Sequence, residues 1–272
     1  MTLGKHDLAG LVEVVRAGKK YKYLCRDTIH DIISREIGQH KNVKETLKTA
    51  RKRLHLILAD YLSDLDVRGC REKLTGAFAS GDEAQIRRTC LDIMSRHAST
   101  RERLPLLDRF YGEIFAITGQ PQTIADLACA LNPFSSRWLG LPSPVRYFAY
   151  DNNRQTVDLL GLYFRLENIS PLPEERDILC CPPEGPFDVA FLFKMYHCLE
   201  HRQKGAGWQV VQNTPAAWLV LSFPTRSLAN RRVDILGNYR EKLLENIRYL
   251  GFHYQELEFP GEVLLLIRKN AG

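Results

Sequence analysis

The sequence predicts an α/β fold in which a mostly parallel sheet ends in an antiparallel hairpin and follows a helical region. Three observations carry this. Across the first 96 of 272 residues glycine and proline are scarce, and apolar side chains recur at helical spacing. From Thr123 onward, short apolar runs alternate with helical patterns. The last two runs, residues 254–259 and 262–268, are joined by Pro260 and Gly261 alone. So tight a link permits a hairpin and excludes a crossover helix.

Taken in order, the clearest early helix spans residues 43–61. Val43, Leu47, Ala50, Leu54, Ile57, Leu58 and Tyr61 fall on one face at about 100° per residue. Lys44, Lys48, Arg51, Lys52 and His55 gather on an adjacent face. Such a face is either simply solvated or built for phosphate contact. Solvated faces usually alternate their signs, and this one has only Glu45 and Asp60 nearby, which favours phosphate. A second helix start is spelled by residues 97–104, HASTRERL. Ser99 as N-cap with Glu102 three residues on forms a capping box, and Leu104, Leu107, Tyr111, Ile114 and Phe115 follow on one face. That helix ends near residues 119–121. Strands are expected at 123–128, 146–150, 187–193 and 217–223. Three of them hold the Val, Ile or aromatic runs that a parallel sheet buries on both faces. A helix over 239–250, stopped by Gly251, precedes the hairpin.

Length allows one large domain or a core with an appendage, and the change of pattern suggests a helical unit at 1–96 and an α/β unit at 97–272. With 44% apolar and 26% charged residues the composition is that of a soluble globular protein. Lys5 and His6 are not followed by an apolar signal region, and runs such as 263–267 fall far short of the about 20 residues a bilayer needs. The seven cysteines show no Cys-x-x-Cys spacing, and Cys129, Cys180, Cys181 and Cys198 sit in apolar segments. Reduced, mostly buried thiols in a cytoplasmic protein are expected, with neither a disulfide framework nor a zinc site. No unexplained apolar seam remains, so a monomer is expected. The net charge is +6, and its placement is informative. Residues 1–96 carry 19 Lys and Arg against 13 Asp and Glu, while residues 97–272 carry 19 of each. A localised basic surface draws polyanions by counterion release, which makes nucleic acid the leading partner and an anionic membrane the second.

In doubly wound sheets ligands bind at the carboxyl ends of strands. The first strand runs into Asp126-Leu127-Ala128-Cys129-Ala130-Leu131-Asn132-Pro133. The second closes on Asp151, where a carboxylate can accept both hydroxyls of a ribose. Asp177 and Ile178 precede the third core strand, Lys194 ends it, and Ser222-Phe223-Pro224-Thr225-Arg226 ends the fourth. Singly, each acid reads equally as a cap or turn former; jointly they mark successive strand ends. The glycine-rich loop of nucleotide folds is missing, and Ala128 and Ala130 stand where small residues must let the backbone approach a ligand. The whole layout is that of Rossmann-like methyltransferases.

Several segments resemble the aminoglycoside-resistance 16S rRNA (guanine-N7) methyltransferases. They are HASTRERL at 97–104, DLACALNP at 126–133, DIL at 177–179, FK at 193–194 and SFPTRSL at 222–228. Residues 19–21 and ARKRLH at 50–55 are similar to that family's helical N-terminal region. The resemblance implies transfer of a methyl group from S-adenosyl-L-methionine to N7 of guanine 1405 in the decoding-site helix of 16S rRNA. The implied substrate is the assembled 30S subunit, and the outcome is resistance to 4,6-disubstituted deoxystreptamine aminoglycosides. It also implies that Arg103 holds the methionine carboxylate and that Ala128, Cys129 and Ala130 pass along the methionine part. Asp151 would take the ribose, and Asp177 with Ile178 the adenine. Lys20, Arg51, Arg53 and His55 would grip rRNA phosphates, with Lys48 added by the basic stripe, and Lys194 and Arg226 would lie near the target nucleotide. Two departures stand out. Ala130 replaces the family's usual glycine, and residues 229–235 lack its glycine-rich composition.

Guanine N7 carries a lone pair and no proton, so no catalytic base is expected; positioning carries the reaction. A guanine within a helix is expected to flip out and stack on an aromatic ring, for which Tyr111, Phe134 and Tyr196 are candidates that read equally well as core.

Overall fold

The computed structural model describes residues 8–59, 65–141, 145–225 and 234–269. Tyr61 and Arg226, both singled out above, lie outside them, as does most of the 229–235 stretch. Five strands run parallel: β1 (Thr123–Leu127), β2 (Arg146–Asp151), β3 (Glu174–Glu175), β4 (Phe187–Phe193) and β5 (Ala216–Pro224). β6 (His253–Phe259) and β7 (Glu262–Arg268) form the expected hairpin, with β7 antiparallel to β5. The order is β3-β2-β1-β4-β5-β7-β6. After β1 the chain steps outward to β2 and β3, then returns to place β4 on the other flank of β1. That reversal opens a crevice at the carboxyl ends of β1 and β4. The anticipated strands are all present with ends moved by one residue at most; the two-residue β3 was too short to carry a pattern.

Alternation along the strands sorts the core into two layers. Ile124, Val189, Phe191, Phe193, Val220, Leu264 and Leu266 face one side. They pack with α4 (Val67–Ser80), α5 (Glu83–Ser95), α7 (Leu107–Thr118) and α8 (Arg154–Glu167). Ala125, Leu127, Ala190, Leu192, Leu219, Leu221, Leu265 and Ile267 face the other. Their partners are α9 (Tyr196–Arg202), α10 (Ala206–Asn213) and α11 (Ile235–Tyr249). Each large aliphatic side chain so buried contributes about 1.5–3 kcal/mol.

Helices α1 (Leu8–Arg16), α2 (Arg26–Glu36) and α3 (Val43–Ala59) close on a third, separate core built from Leu11, Val15, Ile29, Ile33, Ala50 and Leu54 among others. The division in packing therefore falls between α3 and α4, not at residue 96. Cys70, Leu74, Ala77, Ile86, Cys90, Ile93 and Met94 belong to the sheet's own core. Asp66 and Asp82 cap α4 and α5, and Gly81 at φ +65° makes the left-handed turn between them.

The capping box at Ser99 is not formed. α6 is only Ala98–Arg101, capped at His97, and a 3-10 turn, Leu104–Leu106, separates it from α7. Pro105 cannot donate a helical hydrogen bond, and Glu102 is drawn away by a lysine described below. The helix expected from residue 239 begins at Ile235, because the Asp234 carboxylate accepts from Gly237 N. Cys180 and Cys181 are exposed, against the expectation of mostly buried thiols; Cys25, Cys70, Cys90 and Cys129 are buried. All seven cysteines are free.

Candidate cofactor site and docking face

The loop after β1 turns sharply at two alanines, Ala128 at φ 52° and Ala130 at φ 45°. Left-handed backbone at a residue with a Cβ costs roughly 1–2 kcal/mol, which is why a glycine suits this turn. Two hydrogen bonds hold it: Cys129 N donates to Tyr150 O and Ala130 N to Asp151 Oδ2, both at 2.9 Å. Cys129 offers only backbone to a ligand, since its thiol is buried in the core and burial raises its pKa well above the usual value. Asp151 closes β2 with Oδ1 accepting from Asn153 N at 2.8 Å. Burial outweighs these two N–H donors and pushes its pKa up to about 6. Each oxygen retains a free lone pair, so the carboxylate can still accept two hydroxyls.

Asp177 is differently placed. Its Oδ1 accepts from Leu179 N and Cys180 N, and its Oδ2 from Thr28 Oγ1 at 2.5 Å and Arg202 Nη1 at 2.7 Å. Burial would raise its pKa, but the Arg202 guanidinium and the Thr28 hydroxyl hold it below the usual carboxylate range. With about four acceptor positions on a carboxylate, none remains for an adenine. These four hydrogen bonds fix the carboxylate beneath the 177–180 loop. Ile178 beside it is buried, in the same apolar layer as Leu127 and Tyr150.

At the other end of the crevice Arg103 is 1% exposed. It donates from Nη2 to Glu262 Oε1 at 2.5 Å, from Nε to Glu262 Oε2 at 3.3 Å and from Nη1 to Asn132 Oδ1 at 2.8 Å. The rings of Phe110 and Phe193 flank the guanidinium at 4.6 and 4.2 Å. Burial would raise the pKa of Glu262, yet Arg103 and Lys194 hold it below the usual range. Lys194, at φ 57° and 8% exposed, follows β4 and donates from Nζ to Glu102 Oε2 at 2.5 Å. Two cations and two carboxylates thus neutralise one another. His97 adds no charge at neutral pH: burial, then Lys194 and Arg101, push its pKa down to about 4. Asp126 accepts from Asn132 Nδ2 and the Tyr147 hydroxyl, and burial pushes its pKa up to about 7. Sequence reasoning missed Glu262 and Arg202, whose partners lie far along the chain, and named Asn132 in the β1 loop without a role.

The three stacking candidates are core. Tyr111 and Phe134 have no exposed surface, and Tyr196 is buried against Phe223 and Tyr239. Tyr111 also bonds Ser135 through its hydroxyl. None can stack on a base without the core opening.

On the docking lobe, Lys44, Lys48, Arg51, Lys52 and His55 are all exposed on α3. Lys20 is exposed in the turn before α2, and Tyr21 clips that turn to α3 by donating to Arg51 O at 3.1 Å. Lys20 and Arg51, 31 positions apart in sequence, are thereby tied to one surface. Arg53 is partly committed elsewhere: its Nε lies 2.6 Å from Oε1 of buried Glu36, as an ion pair without hydrogen-bond alignment. Among the described residues there is no cluster able to hold a metal ion, and no helix is long and apolar enough to cross a membrane. Two grooves, lined by residues such as Asp188, Thr214, His253 and Arg268, lie at the opposite end of the parallel strands, away from these groups.

A switched parallel sheet with an antiparallel hairpin, a buried carboxylate closing β2 and a tight β1 turn define a Rossmann-like methyltransferase fold with a basic helical lobe. The family model described as ribosomal RNA methyltransferase (FmrO) matches residues 17–267. The chain is 32% identical over 258 residues to a 16S rRNA (guanine(1405)-N(7))-methyltransferase of Serratia marcescens, covering 94% of this chain and 96% of that one. It is 30% identical over 262 residues to the enzyme of that name from Micromonospora rosea, covering 95% and 96%. Among solved structures it resembles the 16S rRNA methylase RmtB, with 28% identity, a TM-score of 0.78 and coverage of 98% and 100%. RmtF in complex with S-adenosyl-L-homocysteine, 24% identical at a TM-score of 0.77 with coverage of 98% and 100%, shares the fold. The chain belongs to this ribosomal RNA methyltransferase family.

Proposed function

We propose that this protein methylates N7 of guanine 1405 of 16S rRNA, with S-adenosyl-L-methionine as donor, on the assembled 30S subunit. It acts as a cytoplasmic monomer, and the modification confers aminoglycoside resistance. The carrying observation is the pairing, in one molecule, of a strand-end carboxylate with open acceptor positions and an exposed cationic helix face. Asp151 takes the ribose hydroxyls, the backbone of Ala128, Cys129 and Ala130 lines the methionine part, and Ile178 walls the adenine. Arg103 keeps two N–H groups beyond those given to Glu262 and Asn132, and these receive the methionine carboxylate. The cofactor supplies an electrophilic methyl group on a sulfonium. Lys194 and Arg226 orient the target nucleotide, while Lys20, Lys48, Arg51, Arg53 and His55 grip the phosphates.

No proton need leave guanine N7, and the site agrees with that chemistry. Its buried imidazole, His97, has its pKa pushed down to about 4 and is therefore a weak base, and its cations are already paired with carboxylates. Binding and orientation carry the rate, an effect worth about 7–11 kcal/mol in favourable cases. Expression in a sensitive bacterium tests the proposal. Growth in kanamycin and gentamicin but not apramycin, with mass mapping placing a methyl group on guanine 1405, is the expected result. A methyl group mapped to another nucleotide would refute the target.

A further inference from the structure

Two separate parts of the crevice lead to one helix of the docking lobe. The first is the 177–180 loop, whose Asp177 carboxylate receives the Thr28 hydroxyl of α2 at 2.5 Å. The second is α9, which begins two residues after Lys194 and ends at Arg202. Arg202 spans the gap between the lobes. Its Nη1 donates to Asp177 Oδ2 at 2.7 Å, and its Nη2 and Nε donate to Asp31 Oδ2 of α2 at 2.7 and 3.2 Å. The Arg202 side chain is 5% exposed and that of Asp177 1%. Burial of this kind leaves few alternatives: if α2 shifts, either a buried carboxylate loses its donors or the 177–180 loop moves with it.

We propose that Arg202 and Thr28 are positioning residues that couple rRNA docking on the helical lobe to cofactor binding at Ile178. The inference rests on the assignment of the adenine to the 178 loop and of the rRNA to α3. Both ligands favour the same placement of that loop, one by packing on it and the other by fixing α2 and α3 beneath it. Each therefore tightens the binding of the other, by the same factor in both directions. An apo protein meeting the 30S subunit then binds it less firmly than the loaded one, so the subunit is preferentially held by protein ready to react.

The experiment measures 30S affinity of the full chain with and without saturating S-adenosyl-L-homocysteine, and affinity for that ligand alone by calorimetry. Wild-type protein is expected to bind 30S about fivefold or more tightly when loaded, the lower end of usual coupling. Arg202→Met is expected to bring that ratio close to one. Because Arg202→Met leaves buried Asp177 without its cation, while Asp31 keeps Arg35, Thr28→Val serves beside it. It removes one hydroxyl, keeps the ion pair and should reduce the ratio partway. Lys48→Ala should weaken 30S binding in both states and leave the ratio at its wild-type value, which a merely structural loss would not do. A ratio of one in the wild type, with both ligands bound, would overturn the coupling alone. Failure of the wild type to bind S-adenosyl-L-homocysteine at all would overturn the site assignment beneath it.

Discussion

Helices α1–α3 and the catalytic sheet both carry many ionisable groups, but they hold them in opposite ways. Residues 1–59 contain thirteen Lys and Arg against six Asp and Glu, and the α3 stripe stands in water. At the carboxyl ends of the strands Arg103, Asp126, Asp151, Asp177, Lys194 and Glu262 are all buried and paired or hydrogen-bonded. Exposed charges are screened by salt and hold little stability; buried ones answer to pH and hold a good deal. The lobe is thus suited to reversible capture of a polyanion, and the sheet end to holding a fixed geometry. Residues 60–96 sharpen the contrast. They carry six basic against seven acidic residues, and α4 and α5 among them pack into the sheet's core, so all the excess charge of the first third lies in residues 1–59.

The largest expected effect tests where the two regions divide. Leu74 on α4 is fully buried in the sheet's core. Leu74→Ala should lower the unfolding free energy by about 2–5 kcal/mol in urea titration, with the α/β part losing stability as well. If only a separate helical unit melted early, α4 would belong to the lobe after all. Next comes pH. The folded pKa of Asp126 is about 7, above the ordinary carboxylate value. A raised carboxylate favours its protonated form, so this stability is fully present below about pH 4 and is lost as pH rises through about 7. Asp126→Asn should flatten stability between pH 4 and 7 by on the order of 2–4 kcal/mol, read from urea midpoints across that range. An unaltered pH profile would mean the carboxylate is solvated. The lobe should behave the other way. Lys48→Ala and Arg51→Ala should each reduce the salt slope of 30S binding by about 1, with stability kept within about 0.5 kcal/mol. Unchanged slopes would remove the stripe from the interface.

What the sequence made legible follows the same division. Strands declared themselves because burial on both faces demands continuous apolar runs, as in β4, where Val189, Phe191 and Phe193 face one layer and Ala190 and Leu192 the other. Asp151 was legible as a strand end, and the α3 stripe as a periodicity. Helical spacing says that a face is buried but not against what, so the allegiance of α4 and α5 stayed hidden. The ion pairs of the site were hidden for a different reason: Arg103 meets Glu262 across 159 residues and Arg202 meets Asp31 across 171. Glu262 reads simply as the first residue of a strand. Capping signals failed at Ser99 because Glu102 forms a tertiary ion pair with Lys194, which outweighs the local motif. Aromatic spacing could not separate a stacking platform from core, and Tyr111, Phe134 and Tyr196 all proved to be core.

The smallest expected effect concerns strain on the catalytic side, for which the lobe's described residues offer no counterpart: none of its residues other than glycine has a positive φ. Ala130 sits at φ 45° while its N–H is held by Asp151. Ala130→Gly relieves the clash of the Cβ in the left-handed region, worth roughly 1–2 kcal/mol, but the glycine has more freedom to lose on folding, roughly 0.5–1 kcal/mol. The balance is a gain of about 0.5–1 kcal/mol, seen as a small rise in melting temperature. The hydrogen bond to Asp151 uses backbone and survives the change, so calorimetry should find affinity for S-adenosyl-L-homocysteine equal to or above that of the wild type. A fall in melting temperature would mean that the turn is relaxed with alanine in place. The missing glycine would then be no sign of strain.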